Sequence, residues 1–432
     1  DLFKTLQQGV DFEAENASGE KERIRAAKLI SVIKGAPDRT LRRSVFEGID
    51  KTYSKQGALH AALLNQLHGM RLCAFDRAGV SPLTVSLAQN RMSEEALRAM
   101  RETILSHIDE VREAVTLRAP YFGEEKLHVY DLMAPAPIAE KAACAIPYPE
   151  GIAIVKKALG TVSPELSGFL DTMLENRWVD AKPSEKKIGG AFYSRFNEFR
   201  IPRVFASYTG TITTVLQQAH ELGHAFHYWM MRDLPVVQTE FPMTLTETAS
   251  TFNEAVLRHH LQAEALAKND REAHFGMLWQ ELRSAANFLM NTMVRMDFEL
   301  AYLEERRLGI VSAKRACELM SEAWRLWYGD TTVETDKWLW AYKLHYYKTD
   351  QLIYNYPYTV GYLLSQEWKD RGDAFFPFYK AMLRDTGRMT LDEIVAKHYG
   401  FDAAKKDFWE RCITAPLGFV REFRNLYPRP AL

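Results

Sequence analysis

Hydrophobic positions recur every three to four residues along five long stretches of the chain, with polar residues between them. This spacing is typical of amphipathic α-helices that bury one face. The stretches are residues 38–68, 93–116, 271–308, 313–327 and 391–410. No repeat of fixed length links them. The pattern predicts a mainly α fold that is not a solenoid.

Two further helices are predicted near the middle of the chain. The first has a hydrophobic stripe at helical spacing, formed by Val215, Ala219, Leu222, Phe226 and Trp229. Gly223 lies inside this helix, where it costs about 1 kcal/mol relative to Ala. We therefore expect a close neighbour there, either another helix or a substrate backbone. The second helix spans residues 242–257.

Two short segments just before the first of these helices read as β-strands. They are residues 188–193 and 203–208, joined by a polar loop that contains Pro202. No other part of the chain gives a plausible sheet. The sequence thus predicts one small β-hairpin or sheet beside the helix.

Length and charge limit the class of protein. A chain of 432 residues with 47% hydrophobic content exceeds one simple domain, and two lobes are expected. The formal net charge is −1, so no overall field attracts nucleic acid or a membrane surface. Neither is expected as a partner, and the oligomeric state is left open.

The spacing of the cysteines and the length of the hydrophobic runs bear on the cellular compartment of the protein. Cys73, Cys144, Cys317 and Cys412 stand far apart without a C-x-x-C pair, which argues against a disulfide scaffold and a zinc ribbon. No run approaches the roughly 20 apolar residues that span a bilayer, and no amino-terminal signal is visible. We expect a cytoplasmic protein.

The segment His220-Glu221-Leu222-Gly223-His224 carries the strongest chemical signal. Residues four apart on a helix share a face, so both imidazoles can bind one Zn²⁺. Glu221 lies roughly 100° round the helix from His220 and can reach a water molecule without binding the metal. The pattern predicts a zinc hydrolase with one Zn²⁺ and Glu221 as general base.

A third protein ligand must come from elsewhere, and His227, Glu240, Glu247 and Glu254 are candidates. An unbroken helix carries His227 about 10.5 Å along the axis from His220, too far to share one ion readily. Glu247 and Glu254 share a face of the second helix. Our hypothesis is that Glu247 binds the metal and Glu254 contacts the outer nitrogen of a ligating imidazole.

These motifs resemble the oligoendopeptidase F and thimet oligopeptidase family of zinc peptidases. Residues 220–227 are similar to its H-E-x-G-H-x-x-H helix, and residues 247–254 to its third-ligand helix. The resemblance implies that Glu247 is the third ligand and that His227 supports the site. It also implies two helical lobes around a deep channel that admits short unstructured peptides.

The resemblance extends over most of the chain and suggests its division. Residues 41–118 resemble the helical region that precedes the catalytic core of oligoendopeptidase F, and prolines at 134–137 and 146–149 indicate a connection. We place an amino-terminal helical lobe at residues 1–120 and a catalytic domain at 121–432. Full-length relatives are longer at the amino terminus, so the first lobe is expected to be incomplete at its front.

An aromatic run between residues 338 and 364 also resembles the family, in which a His and a Tyr contact the scissile carbonyl. Here the candidates are His345 and the last four of the seven tyrosines in the run. A neutral phenol, whose pKa is ordinarily about 10, can donate to a developing oxyanion. We rank Tyr356 and Tyr362 above Tyr354 and Tyr358 as donors, and assign the latter two to substrate binding. Ordinary aromatic packing is the alternative.

The predicted hairpin is a candidate substrate edge. Peptidases commonly bind an extended substrate as an extra strand. The resemblance implies that Gly190 and Ala191 border the substrate channel. A hairpin that merely braces the helix is an equally good interpretation.

These observations favour a zinc-dependent endopeptidase that cleaves internal bonds of short peptides. Two alternatives stay open: a zinc carboxypeptidase of similar helical build, and a catalytically silent protein that retains the metal and binds peptides. Side-chain preference at the cleaved bond cannot be read from the sequence.

Overall fold

The computed structural model describes residues 2–137, 145–184, 187, 191–366, 368–428 and 430. Most of them are helical, and the predicted mainly α class with a small sheet is confirmed. The helices in chain order are α1 Leu2–Gln8, α2 Ala26–Gly35, α3 Arg39–Ala78, α4 Pro82–Asn90, α5 Glu94–Ser106, α6 Ile108–Thr116, α7 Tyr148–Gly160, α8 Pro164–Glu175, α9 Ile212–Met231, α10 Met243–Ala267, α11 Arg271–Ala285, α12 Thr292–Leu308, α13 Ala313–Tyr328, α14 Leu339–Tyr342, α15 Tyr356–Leu364, α16 Phe375–Asp385, α17 Leu391–Ile394 and α18 Lys406–Leu426.

The strands form two separate sheets. They are β1 Asp11–Glu15, β2 Lys21–Arg25, β3 Val179–Asp180, β4 Phe192–Phe196 and β5 Ile201–Phe205. Strands β1 and β2 are an antiparallel hairpin. The other sheet has the order β3-β5-β4, with β3 parallel and β4 antiparallel to β5.

The prediction of a single sheet was wrong, because β1 and β2 were not recognised. Phe12, Ala14 and Ile24 point into the core, but charged residues fill the alternate positions and make the segment read as a polar loop. The second sheet was found, with its first strand shifted to β4. Pro202 lies within β5 and not in the connecting loop.

Several predicted helices are interrupted. The stretch 93–116 divides at His107 into α5 and α6, and 271–308 contains a π-helical turn at Ala286–Asn291. The stretch 391–410 breaks at Gly400, whose φ of 74° lies in the left-handed region. Hydrophobic periodicity does not register these local breaks, since the buried face continues across them.

Helices α9, α10 and α15 pack around the candidate site without intervening side chains. A Cβ atom on Gly223 of α9 would lie 2.4 Å from the carbonyl oxygen of Ala249 in α10. A Cβ atom on Gly361 of α15 would lie 2.6 Å from the Cβ atom of Glu247. The close neighbour predicted for Gly223 is thus confirmed to be a helix, and both glycines permit backbone contact.

Two further features bear on the sequence predictions. Cys73 and Cys317 are free thiols, Cys412 is buried, and Cys144 lies outside the described residues. In the part of the chain that the structure describes, no helix is both long and apolar enough to cross a bilayer. The division into lobes at residue 120 stays a prediction.

Candidate metal centre and active site

Three side chains from two helices bring their ligand atoms together. Nε2 of His220 lies 3.4 Å from Oε2 of Glu247, and Nε2 of His224 lies 3.6 Å from the same oxygen. One ligand atom from each residue falls within 4.8 Å of the others, the only such group among the described residues. Two imidazole nitrogens and one carboxylate oxygen are a donor set that suits Zn²⁺ and leaves a position open.

Local sequence accounts for this convergence. α9 begins with a capping box formed by Thr211 and Thr214, and it presents His220 and His224 on one face. Glu247 lies near the start of α10. Because Gly223 lets the two helices touch, the carboxylate of Glu247 reaches both imidazoles.

A buried chain of polar contacts holds His220 at Nδ1, the ring nitrogen that does not face Glu247. Nδ1 of His220 lies 2.6 Å from Oε1 of Glu254. Arg258 donates to the other Glu254 oxygen at 2.7 Å and, through Nε, to Glu281 at 2.9 Å. Burial raises the pKa of Glu254. Its hydrogen bond and attraction to His220 and the charge of Arg258 have the larger, opposite effect, so that the pKa falls to about 2. The resulting carboxylate directs Nε2 of His220 towards Glu247.

The electrostatics of the group favour positive charge. Burial lowers the pKa of His220, but the hydrogen bond to Glu254 and the charge of Glu247 outweigh burial and raise it to about 10. His224 has a different balance, since burial dominates and lowers its pKa to about 4. Carboxylates that favour a cation on one imidazole also favour a divalent cation between the side chains.

Glu221 lies in the same buried region, and the residue is only 5% exposed. Burial raises the pKa of its carboxyl to about 7, with hydrogen bonding from the backbone of Tyr193 in β4 acting in the opposite direction. A carboxyl group with a pKa near neutrality can both accept and return a proton. The role of Glu221 as general base stays a prediction.

His227 is not one of the three residues whose ligand atoms converge. Its Nε2 lies 2.7 Å from Oγ1 of Thr386, and its ring stacks on Phe241 at a centroid distance of 4.0 Å. Burial lowers its pKa to about 3, so the ring is neutral. Its contacts join α9 to Thr386 at the end of α16 and to Phe241, and its supporting role stays a prediction. Glu240, another candidate from the sequence, pairs with Arg195.

The aromatic run divides into two groups. Tyr358 donates to the hydroxyl of Tyr354 at 3.0 Å, and Nε2 of His345 lies 3.4 Å from the Tyr358 hydroxyl. Burial, and to a lesser degree the charges of Tyr354 and Glu247, raise the pKa of Tyr358, which keeps it a neutral phenol. Tyr358 is therefore within electrostatic range of Glu247, a predicted metal ligand.

The other two tyrosines face different surroundings. The Tyr356 hydroxyl lies 3.3 Å from Oγ of Ser86 in α4. Tyr362 stacks on Phe288, and its electrostatic neighbours are Glu281 and Arg258. These contacts group Tyr354 and Tyr358 with His345 and place Tyr356 and Tyr362 elsewhere, and the ranking of the donors stays a prediction.

The predicted substrate edge is described only in part. Strand β4 pairs with β5 on one side, and no described strand pairs with its other side. Tyr193 of β4 lies beside His224, with ring centroids 5.7 Å apart. Ala191 precedes the strand and is partly exposed, whereas Gly190 lies outside the described residues. Strand β4 therefore runs next to the ligand cluster.

Sequence reasoning missed Arg258, Glu281 and Gly361. Arg258 follows Glu254 by four residues but lies one position beyond the predicted end of the second helix, so the i, i+4 pairing rule could have found it only with the helix continued as α10 is. Glu281 and Gly361 come from helices distant in sequence, and no local signal links them to the site.

Comparisons with known proteins identify similar chains. The sequence model of peptidase family M3 matches residues 32–414. Oligopeptidase PepF of Bacillus subtilis is 23% identical over 381 residues, which cover 85% of this chain and 55% of that protein. An oligoendopeptidase F homologue of Lactococcus lactis is 24% identical over 332 residues, covering 75% and 53%. This chain thus spans about half the length of these curated relatives.

A solved structure agrees in fold. The crystal structure of oligoendopeptidase F from Enterococcus faecium superposes with a TM-score of 0.71 at 19% identity, over 100% of this chain and 72% of that one. Similarity at this level of identity shows the architecture alone.

Proposed function

Because this chain belongs to peptidase family M3, we propose that it is a zinc-dependent endopeptidase that hydrolyses internal bonds of short unstructured peptides. The observation that carries the proposal is the convergence of His220, His224 and Glu247, with Glu221 beside them on the same helix. In this proposal the first three residues hold Zn²⁺. When bound, Zn²⁺ would supply Lewis acidity, which lowers the pKa of water towards about 7 and polarises a carbonyl.

In this proposal, side chains of the protein transfer the proton, orient His220 and stabilise the oxyanion. Glu221 takes a proton from the attacking water and returns it to the leaving amine. Glu254 fixes the tautomer and orientation of His220. The hydroxyl pair of Tyr354 and Tyr358, backed by His345, donates to the oxygen that gains negative charge.

Substrate binding is proposed at the free edge of β4. An extended peptide added there would be held through its main chain, so that affinity would depend little on side-chain identity. The edge lies beside His224 and the backbone of Tyr193 approaches Glu221, which would bring the bound peptide to the proposed catalytic groups. Ala191 and Gly190 remain predicted members of this edge.

A peptide blocked at both ends tests the function. We expect the purified chain to cleave an acetylated and amidated peptide at an internal bond, to lose this activity with a zinc chelator, and to regain it when Zn²⁺ is restored. A folded protein containing the same sequence is the control and should resist cleavage. Release of carboxy-terminal residues from unblocked peptides alone would favour a carboxypeptidase, and no cleavage by the zinc-loaded chain would favour the silent alternative.

The tyrosine assignment has its own test. Tyr358→Phe should lower kcat by about 10²–10³-fold, because it removes a hydroxyl from the pair proposed to stabilise the oxyanion. Tyr356→Phe is the matched control in the same helix and should keep most of the turnover, since its hydroxyl faces Ser86. Steady-state kinetics with one blocked peptide would compare them. The opposite ranking would restore the order predicted from sequence.

A further inference from the structure

The segment between His345 and α15 contains a strained residue. Ile353 has a φ of 49°, which lies in the left-handed region, and its side chain is fully buried. A β-branched residue rarely adopts this conformation, because its branched Cβ atom crowds the backbone. Such strain persists only where surrounding contacts enforce it. The residue that follows is Tyr354.

Side chains from three helices supply those contacts through the backbone of the segment. Glu299 of α12 accepts a hydrogen bond from the Ile353 N–H group at 2.9 Å. Ser86 of α4 donates to the Ile353 carbonyl oxygen at 3.4 Å. Arg71 of α3 donates through Nη2 to the carbonyl oxygens of Lys348 and Gln351, the latter at 2.9 Å.

Two of these contacts come from ionisable groups, the buried Glu299 and the partly buried Arg71. Glu299 is 2% exposed, and burial raises its pKa to about 7. Its second carboxyl oxygen is buried without a hydrogen-bond partner among the described residues. Burial also lowers the pKa of Arg71. Burying such groups is unfavourable, so their use to hold one loop calls for a reason beyond general packing.

The position of Tyr354 provides that reason. Its ring lies 5.0 Å from the ring of His345, and its hydroxyl accepts the hydrogen bond from Tyr358. If Ile353 relaxed to an ordinary extended or helical conformation, the direction of the chain entering Tyr354 would change. The hydroxyl pair would then separate.

We propose that Glu299 and Arg71 are positioning residues, which hold the strained segment 348–353 so that Tyr354 meets Tyr358 and His345. This inference rests on the proposed function, because it assigns the strain to assembly of the hydroxyl pair. Neither residue touches the reacting atoms, and both act through the backbone of the segment.

The first test concerns the strain itself. Ile353→Ala and Ile353→Gly both remove the buried side chain, but only Gly adopts a positive φ without cost. We expect the Gly variant to unfold at a higher temperature than the Ala variant, the reverse of the usual order. A higher thermal unfolding midpoint for the Ile353→Ala variant would show that residue 353 is not left-handed in solution, and this would overturn the proposal. This comparison needs no enzyme activity.

The second test concerns positioning. Glu299→Leu removes the acceptor for the Ile353 N–H group and should lower kcat by about 10- to 100-fold, with little change in KM or zinc content. Glu299→Gln keeps an acceptor oxygen and should restore most of the loss. Glu304→Leu places the same substitution on the exposed side of α12 and is the control.

A double variant separates positioning from a general loss of structure. In a Tyr354→Phe background, Glu299→Leu should have a much smaller effect on kcat, because the hydroxyl that it positions is already absent. Equal effects in both backgrounds, or wild-type kcat in Glu299→Leu, would overturn the positioning role alone. A wild-type chain that holds zinc yet cleaves no peptide would instead overturn the proposed function and this role with it.

Discussion

Glu221→Gln is expected to lower kcat by about 10²–10⁴-fold while zinc content and fold stay unchanged. Gln has nearly the same shape as Glu but cannot accept and return a proton. Glu221 is buried beside the ligand cluster, and burial raises the pKa of its carboxyl to about 7. A group poised near neutrality can take part in both proton transfers, and the amide can take part in neither.

The measurement is single-turnover and steady-state hydrolysis of a blocked peptide, together with zinc analysis of the same preparation. Glu198→Gln makes the same change at an exposed residue of the β4–β5 turn and should behave as wild type. Near-normal turnover in zinc-loaded Glu221→Gln would refute the role of general base.

Glu247→Ala should abolish both stable zinc binding and hydrolysis, whereas Glu254→Ala should only weaken zinc binding. Glu247 is one of three converging ligands, and its oxygen lies 3.4 and 3.6 Å from the two imidazole nitrogens. Glu254 contacts only the outer nitrogen of His220, and loss of such a partner typically costs roughly 10–100-fold in metal affinity. Excess Zn²⁺ should therefore rescue Glu254→Ala and not Glu247→Ala.

Zinc content after dialysis, and titration with a competing chelator, would distinguish the two variants. Glu264→Ala removes a carboxylate from the same helix about 15 Å along the axis from Glu254, where it pairs with Lys157, and serves as the control. Loss of zinc from Glu254→Ala with retention in Glu247→Ala would reverse the two assigned roles.

Those parts of the site that depend on local spacing could be predicted from the sequence. The i, i+4 relation of His220 and His224 and the seven-residue separation of Glu247 and Glu254 are properties of single helices. The helix contact at Gly223 was also anticipated, because a glycine inside a buried helix has a packing cost that a neighbour can explain. None of these inferences required knowledge of the tertiary structure.

Local spacing along the sequence could not rank the tyrosines as hydrogen-bond donors to the oxyanion. Tyr354 and Tyr356 lie two residues apart, yet the hydroxyl of one meets Tyr358 and that of the other meets Ser86. The difference depends on the left-handed backbone at Ile353 and on Glu299, which is 54 residues away in sequence. Glu281 was missed because it also lies far away in sequence. The hairpin β1–β2 was missed because charged residues fill the positions between its buried ones.

The two glycine contacts around Glu247 have a thermodynamic consequence. Gly223 meets the backbone of α10 and Gly361 meets the Cβ atom and backbone of Glu247, so no flexible side chain can absorb a change in the spacing of α9, α10 and α15. Any ion held by His220, His224 and Glu247 therefore shares its binding equilibrium with the docking of these helices, and its affinity would add directly to their stability. Loss of the ion and separation of the three helices would therefore occur together, in a single transition.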